Sequence, residues 1–140
     1  MNMTSSSGLF VTGDIYLIRK PIPGNYGIHK LFDMLVSSQF GIAYDLTTMP
    51  EIWVITTNKR RKRLSILHAE CFGYENIVRF LHGNNLFNIL FDEKAPTITL
   101  TRSQLRRLVL DGTVEGTWNN AYIKENATTL IPENLDKKTL

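Results

Sequence analysis

The spacing of hydrophobic residues divides the N-terminal part of the chain into strand-like and helix-like stretches. β-Branched and aromatic residues in LFVTG (9–13) and DIYLIRK (14–20) predict a short strand, a turn and a second strand. Beyond them the period changes, and apolar side chains recur at i, i+3, i+4, i+7 and i+8, at Ile28, Leu31, Phe32, Leu35 and Val36. This pattern predicts an amphipathic helix over about residues 27–39, with a connecting loop after it.

Four short apolar runs fill the middle of the chain. They are EIWVITT (51–57), RLSILHAE (63–70), GYENIVRFL (73–81) and LFNILF (86–91). Their length and the turn residues between them predict an antiparallel meander. The third run also fits a short helix, because Ile77, Phe80 and Leu81 are helically spaced, and the pattern alone leaves both interpretations open.

A second helix is predicted near the end of the segment TITLTRSQLRRLVLDG (97–112). Thr101 and Gln104 have the spacing of a capping box, and Gly112 stands where a helix commonly ends. The predicted fold is therefore α+β: an antiparallel sheet of about five strands, one amphipathic helix packed on it and a short C-terminal helix at about 102–111. We expect a flexible leader (1–8), a single domain (9–112) and a partly ordered tail (113–140).

The charge of this 140-residue chain is unevenly distributed. It has 16 Lys and Arg against 13 Asp and Glu, yet without the five cations of residues 59–63 the balance would be 11 against 13. The basic character is thus local, which favours one anionic contact over a general coat for nucleic acid. The single cysteine, Cys71, excludes an internal disulfide, and no apolar run approaches the ~18 residues of a membrane helix. We expect a cytoplasmic protein that contacts no membrane.

The basic run NKRRKR is the strongest functional feature. It comprises Asn58, Lys59, Arg60, Arg61, Lys62 and Arg63, between two predicted strands. Such a hairpin can present several cations to a phosphate backbone, and five contacts would give a salt slope of about −4 to −5. Because strand residues alternate between faces, about three side chains would point the same way. Arg106 and Arg107 of the second helix could widen the patch. The alternative is a solvated turn that keeps a sheet edge from pairing.

Catalytic and metal-binding patterns are not found. His29, His68 and His82 are scattered without metal-ligand spacing, and no phosphate-binding glycine loop occurs. His68 and Glu70 would share a strand face and could cleave a phosphodiester beside the basic run, but an exposed polar face is the simpler interpretation. We therefore predict neither an enzyme nor a cofactor.

Five segments, taken in order, resemble a known family. They are IYLIRKP (15–21), PGNYG (23–27), IHKLFDMLV (28–36), EIWVITTNKRRKRLSIL (51–67) and ITLTRSQLRRLVLDG (98–112). Together they are similar to the TnpB-type accessory protein encoded by the second open reading frame of bacterial insertion sequences of the IS-66 group. Residues 58–63 resemble that family's N-R-R-R-x-R pattern, and Gly27 matches the glycine of its DMRKG turn. The chain departs from the turn at Pro23, Gly24, Asn25 and Tyr26, and has Ala69 where a tryptophan is usual.

The resemblance implies a divergent, non-enzymatic accessory protein of transposition, with the strand chemistry carried out by a separate transposase. DNA or a transposase–DNA complex is then the expected partner of residues 58–63. The alternative is a protein–protein interaction module that docks an acidic partner and contacts no nucleic acid. Binding that weakens steeply with salt would distinguish the first from the second.

Overall fold

The computed structural model describes residues 12–113 and confirms the predicted α+β fold. Five strands and two helices follow one another as β1 (Asp14–Ile18), α1 (Ile28–Val36), β2 (Ile52–Thr57), β3 (Arg63–Glu70), β4 (Gly73–Phe80), β5 (Thr97–Thr99) and α2 (Arg102–Asp111). The predicted leader (1–8), most of the predicted first strand (9–13) and all but one residue of the predicted tail (113–140) lie outside the described residues.

The five strands form one mixed sheet in the order β4-β3-β2-β1-β5. The β2–β3, β3–β4 and β1–β5 pairs are antiparallel, but β1 and β2 are parallel, with Leu17 opposite Ile55. The prediction of a wholly antiparallel sheet was wrong at this one pair. The reason is the long connection through α1, which carries the chain back to the starting end of the sheet before β2 begins.

Three of the four runs predicted to form the meander do form it, as strands β2, β3 and β4. Residues 73–80 form strand β4, which decides between the strand and helix interpretations. The fourth run, 86–91, is not a strand; its one described bridge joins Asn88 to Thr113, and the fifth strand is β5 instead. Phe87 and Ile89 are nonetheless fully buried. The apolar run therefore reflected burial against the sheet and not pairing within it.

Both faces of the sheet are covered at its central strands, whereas β4 is largely exposed. Helix α1 packs on one face with the apolar cluster that includes Leu31, Leu35, Val54 and Leu67. Helix α2 and segment 86–91 cover the other face, in a cluster of Ile15, Leu17, Trp53, Ile55, Leu64, Ile66, Phe87, Ile89, Leu100, Leu105 and Leu108. Strands β1 and β2 contribute alternate residues to the two clusters, as two-sided burial requires.

The predicted ends of α2 are confirmed. The Thr101 hydroxyl accepts a hydrogen bond from the Gln104 N–H, and the Gln104 side chain accepts one from the Thr101 N–H, so the capping box is complete. Gly112 ends the helix in the left-handed conformation, with φ 77°. This conformation favours glycine because it has no Cβ.

Strand direction separates the charges along the sheet. The C-terminal ends of β1 and β2 meet the N-terminal end of β3, so Lys20 and the basic run 58–63 lie at one end of the sheet. Asp14, Glu51 and Glu70 lie at the opposite end. The fold thus has a mainly basic end, where Asp92 also pairs with Arg19, and an acidic end. An anion would be attracted to the basic end.

Candidate nucleic-acid interface

The basic run forms the turn between β2 and β3, as predicted. The Arg61 N–H donates to the Asn58 carbonyl at 2.9 Å, and Arg61 has a left-handed backbone with φ 59°. The Asn58 side-chain oxygen accepts hydrogen bonds from the N–H groups of Lys62 (3.0 Å) and Arg63 (3.3 Å). Asn58 therefore closes the turn with its own side chain. Asparagine is favoured at such a position because its side-chain oxygen can accept hydrogen bonds from backbone N–H groups of the turn.

Arg61 points into the protein and not toward a ligand. Its Nε donates to the Ile89 carbonyl at 2.8 Å, and its guanidinium lies 4.0 Å from the centre of the Phe91 ring. Its carbonyl accepts from the Phe87 N–H at 2.9 Å. Arg61 thus attaches the irregular segment 86–91 to the hairpin, a role that the sequence did not indicate.

Lys62 and Arg63 are also partly engaged within the fold. The Lys62 Nζ lies 3.3 Å from the Gly83 carbonyl, and an Arg63 terminal nitrogen donates to the Gly24 carbonyl. The Arg63 Nε is buried without a partner among the described residues. Backbone carbonyls satisfy donors but leave the positive charges uncompensated, so both side chains still contribute to the potential at this end of the sheet.

Lys59 and Arg60 are the exposed cations of the turn. No salt bridge in the described part of the chain involves either side chain. The predicted five-cation contact therefore reduces to two freely presented side chains, with Lys62 beside them. We define Lys59, Arg60 and Lys62 as the basic tip.

Arg106 and Arg107 lie on a different element from the basic tip. Helix α2 starts beside Ile15, whose carbonyl accepts from the Leu100 N–H at 2.9 Å, and ends beside segment 86–91, where the Asn88 N–H donates to the Gly112 carbonyl. The helix therefore runs toward the basic end of the sheet. Both arginines are exposed, while Leu105 and Leu108 face the core.

A second charged cluster surrounds His68, and sequence reasoning missed it. The His68 Nε2 lies 2.6 Å from a Glu51 carboxylate oxygen, and its Nδ1 lies 2.8 Å from a Glu75 oxygen. The imidazole stacks on Trp53 with ring centres 3.8 Å apart. Cross-strand pairing of His68 with both Trp53 and Glu75 creates the cluster. Only the registers of the β2–β3 and β3–β4 hairpins could have revealed this cluster, and the short apolar runs did not define those registers.

The two carboxylates determine the protonation of His68. Burial alone would lower the pKa of the imidazole, but hydrogen bonds to Glu75 and Glu51 and attraction to both charges raise it above its ordinary value of 6.5. Glu70 is not part of this arrangement, because one of its carboxylate oxygens accepts from the N–H groups of Phe72 and Gly73. The His68–Glu70 pair considered for phosphodiester cleavage is therefore not assembled.

Comparison with known proteins adds no assignment. No protein-family model, no curated protein and no solved structure matches the chain. Within residues 12–113 no group of three or more His, Cys, Asp and Glu could hold a metal ion. No helix formed by these residues is long and apolar enough to cross a membrane.

Proposed function

We propose that the protein is a non-enzymatic accessory factor of an insertion-sequence transposition system and contacts DNA, alone or with a transposase, through its basic tip. The transposition context and the bacterial source rest on the sequence resemblance described above, and the cytoplasmic location rests on the single cysteine and the lack of a long apolar run in the sequence. The DNA contact rests on one structural observation: Lys59 and Arg60 are exposed at the basic end of the sheet, with no carboxylate paired to either among the described residues.

The geometry favours a limited contact with the phosphate backbone. Each phosphate neutralised on duplex DNA contributes about −0.9 to the slope of log affinity against log salt, so the three cations of the basic tip give about −2 to −3. This slope is shallower than the −4 to −5 expected for all five cations, because Arg61 and Arg63 are held inside the fold. Such a contact carries little sequence information, which suits an auxiliary role.

The test is binding of a labelled random-sequence duplex, followed by fluorescence anisotropy across a salt series. We expect the Lys59→Ser/Arg60→Ser variant to reduce the magnitude of the slope by about 2 and to weaken binding at low salt. Arg102→Ser is the matched control for Arg60→Ser, because each removes one exposed arginine and Arg102 lies beside Gly13 at the acidic end of the sheet.

The outcomes separate the two candidate functions. A slope whose magnitude Arg60→Ser reduces by about 1 and Arg102→Ser leaves unchanged supports DNA contact through the basic tip. No binding at low salt, or equal losses in both variants, overturns that contact. The search for partners would then turn to acidic proteins. Because an ion-paired protein interface also weakens with salt, the absence of duplex binding, and not the slope alone, decides between the two functions.

A further inference from the structure

The outer strand β4 is built unlike a protected edge. It is eight residues long, and its side away from β3 has no partner among residues 12–113. Edge strands usually carry proline, charged side chains (lysine above all) or a bulge that discourages pairing with another chain. The two charged residues of β4, Glu75 and Arg79, are of opposite sign, so they can attract a second copy of the strand. Strand β4, with the sequence GYENIVRF, has neither proline nor lysine and pairs with β3 without interruption. The opposite edge strand, β5, has only three residues.

Apolar side chains are exposed along this strand. Phe80 is 64% exposed, and Tyr74, Ile77 and Val78 are each exposed by more than a third. Phe72, in the turn that leads into β4, is 94% exposed. Aromatic and β-branched residues are those that stabilise cross-strand pairs.

The hairpin determines which backbone groups face outward. Glu70 and Gly73 pair directly across the two-residue turn, so they form the hydrogen-bonded pair that closes it. Hydrogen-bonded and non-hydrogen-bonded pairs alternate along an antiparallel ladder. The N–H and C=O groups of alternate residues therefore point to the free edge, and these residues are Tyr74, Asn76, Val78 and Phe80.

We propose that β4 pairs antiparallel with β4 of a second copy of this chain, centred on Ile77, to form a continuous ten-stranded sheet. In this register Tyr74 lies opposite Phe80 of the other copy and Asn76 opposite Val78. All four outward-facing residues then find partners, with about eight hydrogen bonds in total. Ile77 lies opposite itself on the two-fold axis.

Charge complementarity selects this register. With Ile77 at the centre, Glu75 of each copy lies opposite Arg79 of the other, which gives two ion pairs on one face of the sheet. If the two strands were instead centred on Glu75 or on Arg79, that charged residue would lie opposite its own copy, which is unfavourable. If the centre were shifted by one residue, Glu75 and Arg79 would each lie opposite an apolar residue or a glycine and would form no ion pair. Arg79 makes no salt bridge within residues 12–113. Glu75 pairs with His68 through one carboxylate oxygen, but its side chain is 61% exposed, so it can also meet Arg79 of the other copy.

Charge exchange provides the sharpest test, with the oligomeric state of the full chain measured by analytical ultracentrifugation. We expect the wild type to be dimeric and the single variants Glu75→Arg and Arg79→Glu to be monomeric. Each single variant carries two like charges, so an equimolar mixture of the two should form heterodimers. The Glu75→Arg/Arg79→Glu double variant should regain the homodimer, because both ion pairs are restored with exchanged signs.

A crosslink tests the register without changing charge. In a Cys71→Ser background, Ile77→Cys should form an intermolecular disulfide on mild oxidation, because the two residues face each other across the axis in a closely spaced pair. Val78→Cys is the control, since Val78 lies opposite Asn76 and not opposite itself. Equal crosslinking of the two variants would overturn the register.

If the free edge of β4 is not paired with a second copy, the measurements of oligomeric state give different results. A wild type that is monomeric throughout the concentration series overturns the proposal. If that monomer becomes a dimer only after removal of residues 114–140, the chain's own C-terminal segment occupies the edge. A dimer that persists in both single charge variants uses another surface. Circular dichroism and a cooperative urea unfolding transition would verify that each variant is folded.

Discussion

The guanidinium of Arg61 lies over the ring of Phe91, 4.0 Å from its centre, and its Nε hydrogen-bonds to the Ile89 carbonyl. A residue that looks like part of an anion-binding run is therefore a structural connection between the hairpin and segment 86–91. Among residues 12–113 the segment pairs only through the Asn88–Thr113 bridge, so this connection replaces a strand ladder there. The basic run serves two purposes, with Arg61 directed inward and Lys59 and Arg60 directed outward.

Arg61→Ala should therefore reduce stability. A hydrogen bond from a charged donor and a cation–π contact are lost, and together they predict a decrease of about 1–3 kcal/mol in the free energy of unfolding. Urea denaturation followed by circular dichroism measures this change. Arg60→Ala, at the exposed neighbouring position, should change stability by less than about 0.5 kcal/mol. Equal effects at the two positions would contradict the structural role of Arg61.

The left-handed backbone of Arg61 allows a second comparison. Arg61→Gly removes the same side chain but relieves a conformation that disfavours residues with a Cβ, by about 1 kcal/mol. The glycine variant should therefore be more stable than Arg61→Ala. If the alanine variant is the more stable of the two, the backbone at this position is not under the strain that its φ implies.

His68 predicts a pH dependence of stability. A histidine whose pKa is raised on folding stabilises the native state fully below its unfolded pKa, near 6.5, and this contribution is lost as the pH rises through the folded pKa. The free energy of unfolding of the wild type should therefore decrease above about pH 6.5. In His68→Gln this decrease should be smaller. His82→Gln is the control, and an identical pH profile for the wild type and His68→Gln would contradict the prediction.

Gly13 should be intolerant of any side chain. Its φ is +85°, and an added Cβ would overlap the backbone carbonyl of Glu51. Gly83 has a similar φ of +65° but open space around it. Gly83→Ala should therefore cost about 1 kcal/mol from backbone strain, and Gly13→Ala about 2–4 kcal/mol because overpacking is added. Chemical denaturation of the two variants measures the difference, and equal losses would show that the close approach is relaxed in solution.

The sequence predicted those features of the fold that a few neighbouring residues determine. The Thr101–Gln104 capping box and Gly112 bounded α2 correctly because helix ends are encoded within a few residues. Segment 86–91 was predicted as a strand because it is a short apolar run bounded by turn residues, but an apolar run reports burial and not hydrogen-bond partners. The parallel pairing of β1 and β2 depends on the path of the intervening chain, which no local pattern contains.

The candidate site shows the same division. The basic run was correctly placed at a turn because it lies between two predicted strands. Arg60 and Arg61 nevertheless have different roles, because Arg61 contacts Ile89 and Phe91, far along the chain. The cluster of His68 with Glu51 and Glu75 required the registers of two hairpins, which apolar runs of similar length do not define. Long-range register is thus the information that sequence reasoning lacked at both places.

The two proposals together predict that one dimer joins two DNA duplexes. Antiparallel pairing of β4 with its copy requires a two-fold axis perpendicular to the sheet, so the two basic tips point to opposite ends of the ten-stranded sheet. A bead-immobilised duplex should therefore capture a second, labelled duplex in the presence of the wild-type protein.

Val78→Pro is the appropriate variant for this bridging assay. It removes an N–H that points to the free edge, where proline is tolerated, and it leaves the charge unchanged. The variant should bind a single duplex as well as the wild type does but should fail to capture the second. Capture equal to that of the wild type would contradict dimerisation through β4, whereas loss of single-duplex binding in Lys59→Ser/Arg60→Ser would leave the DNA contact supported independently. The assay thereby separates the edge from the basic tip, because each variant removes one of the two contacts that bridging requires.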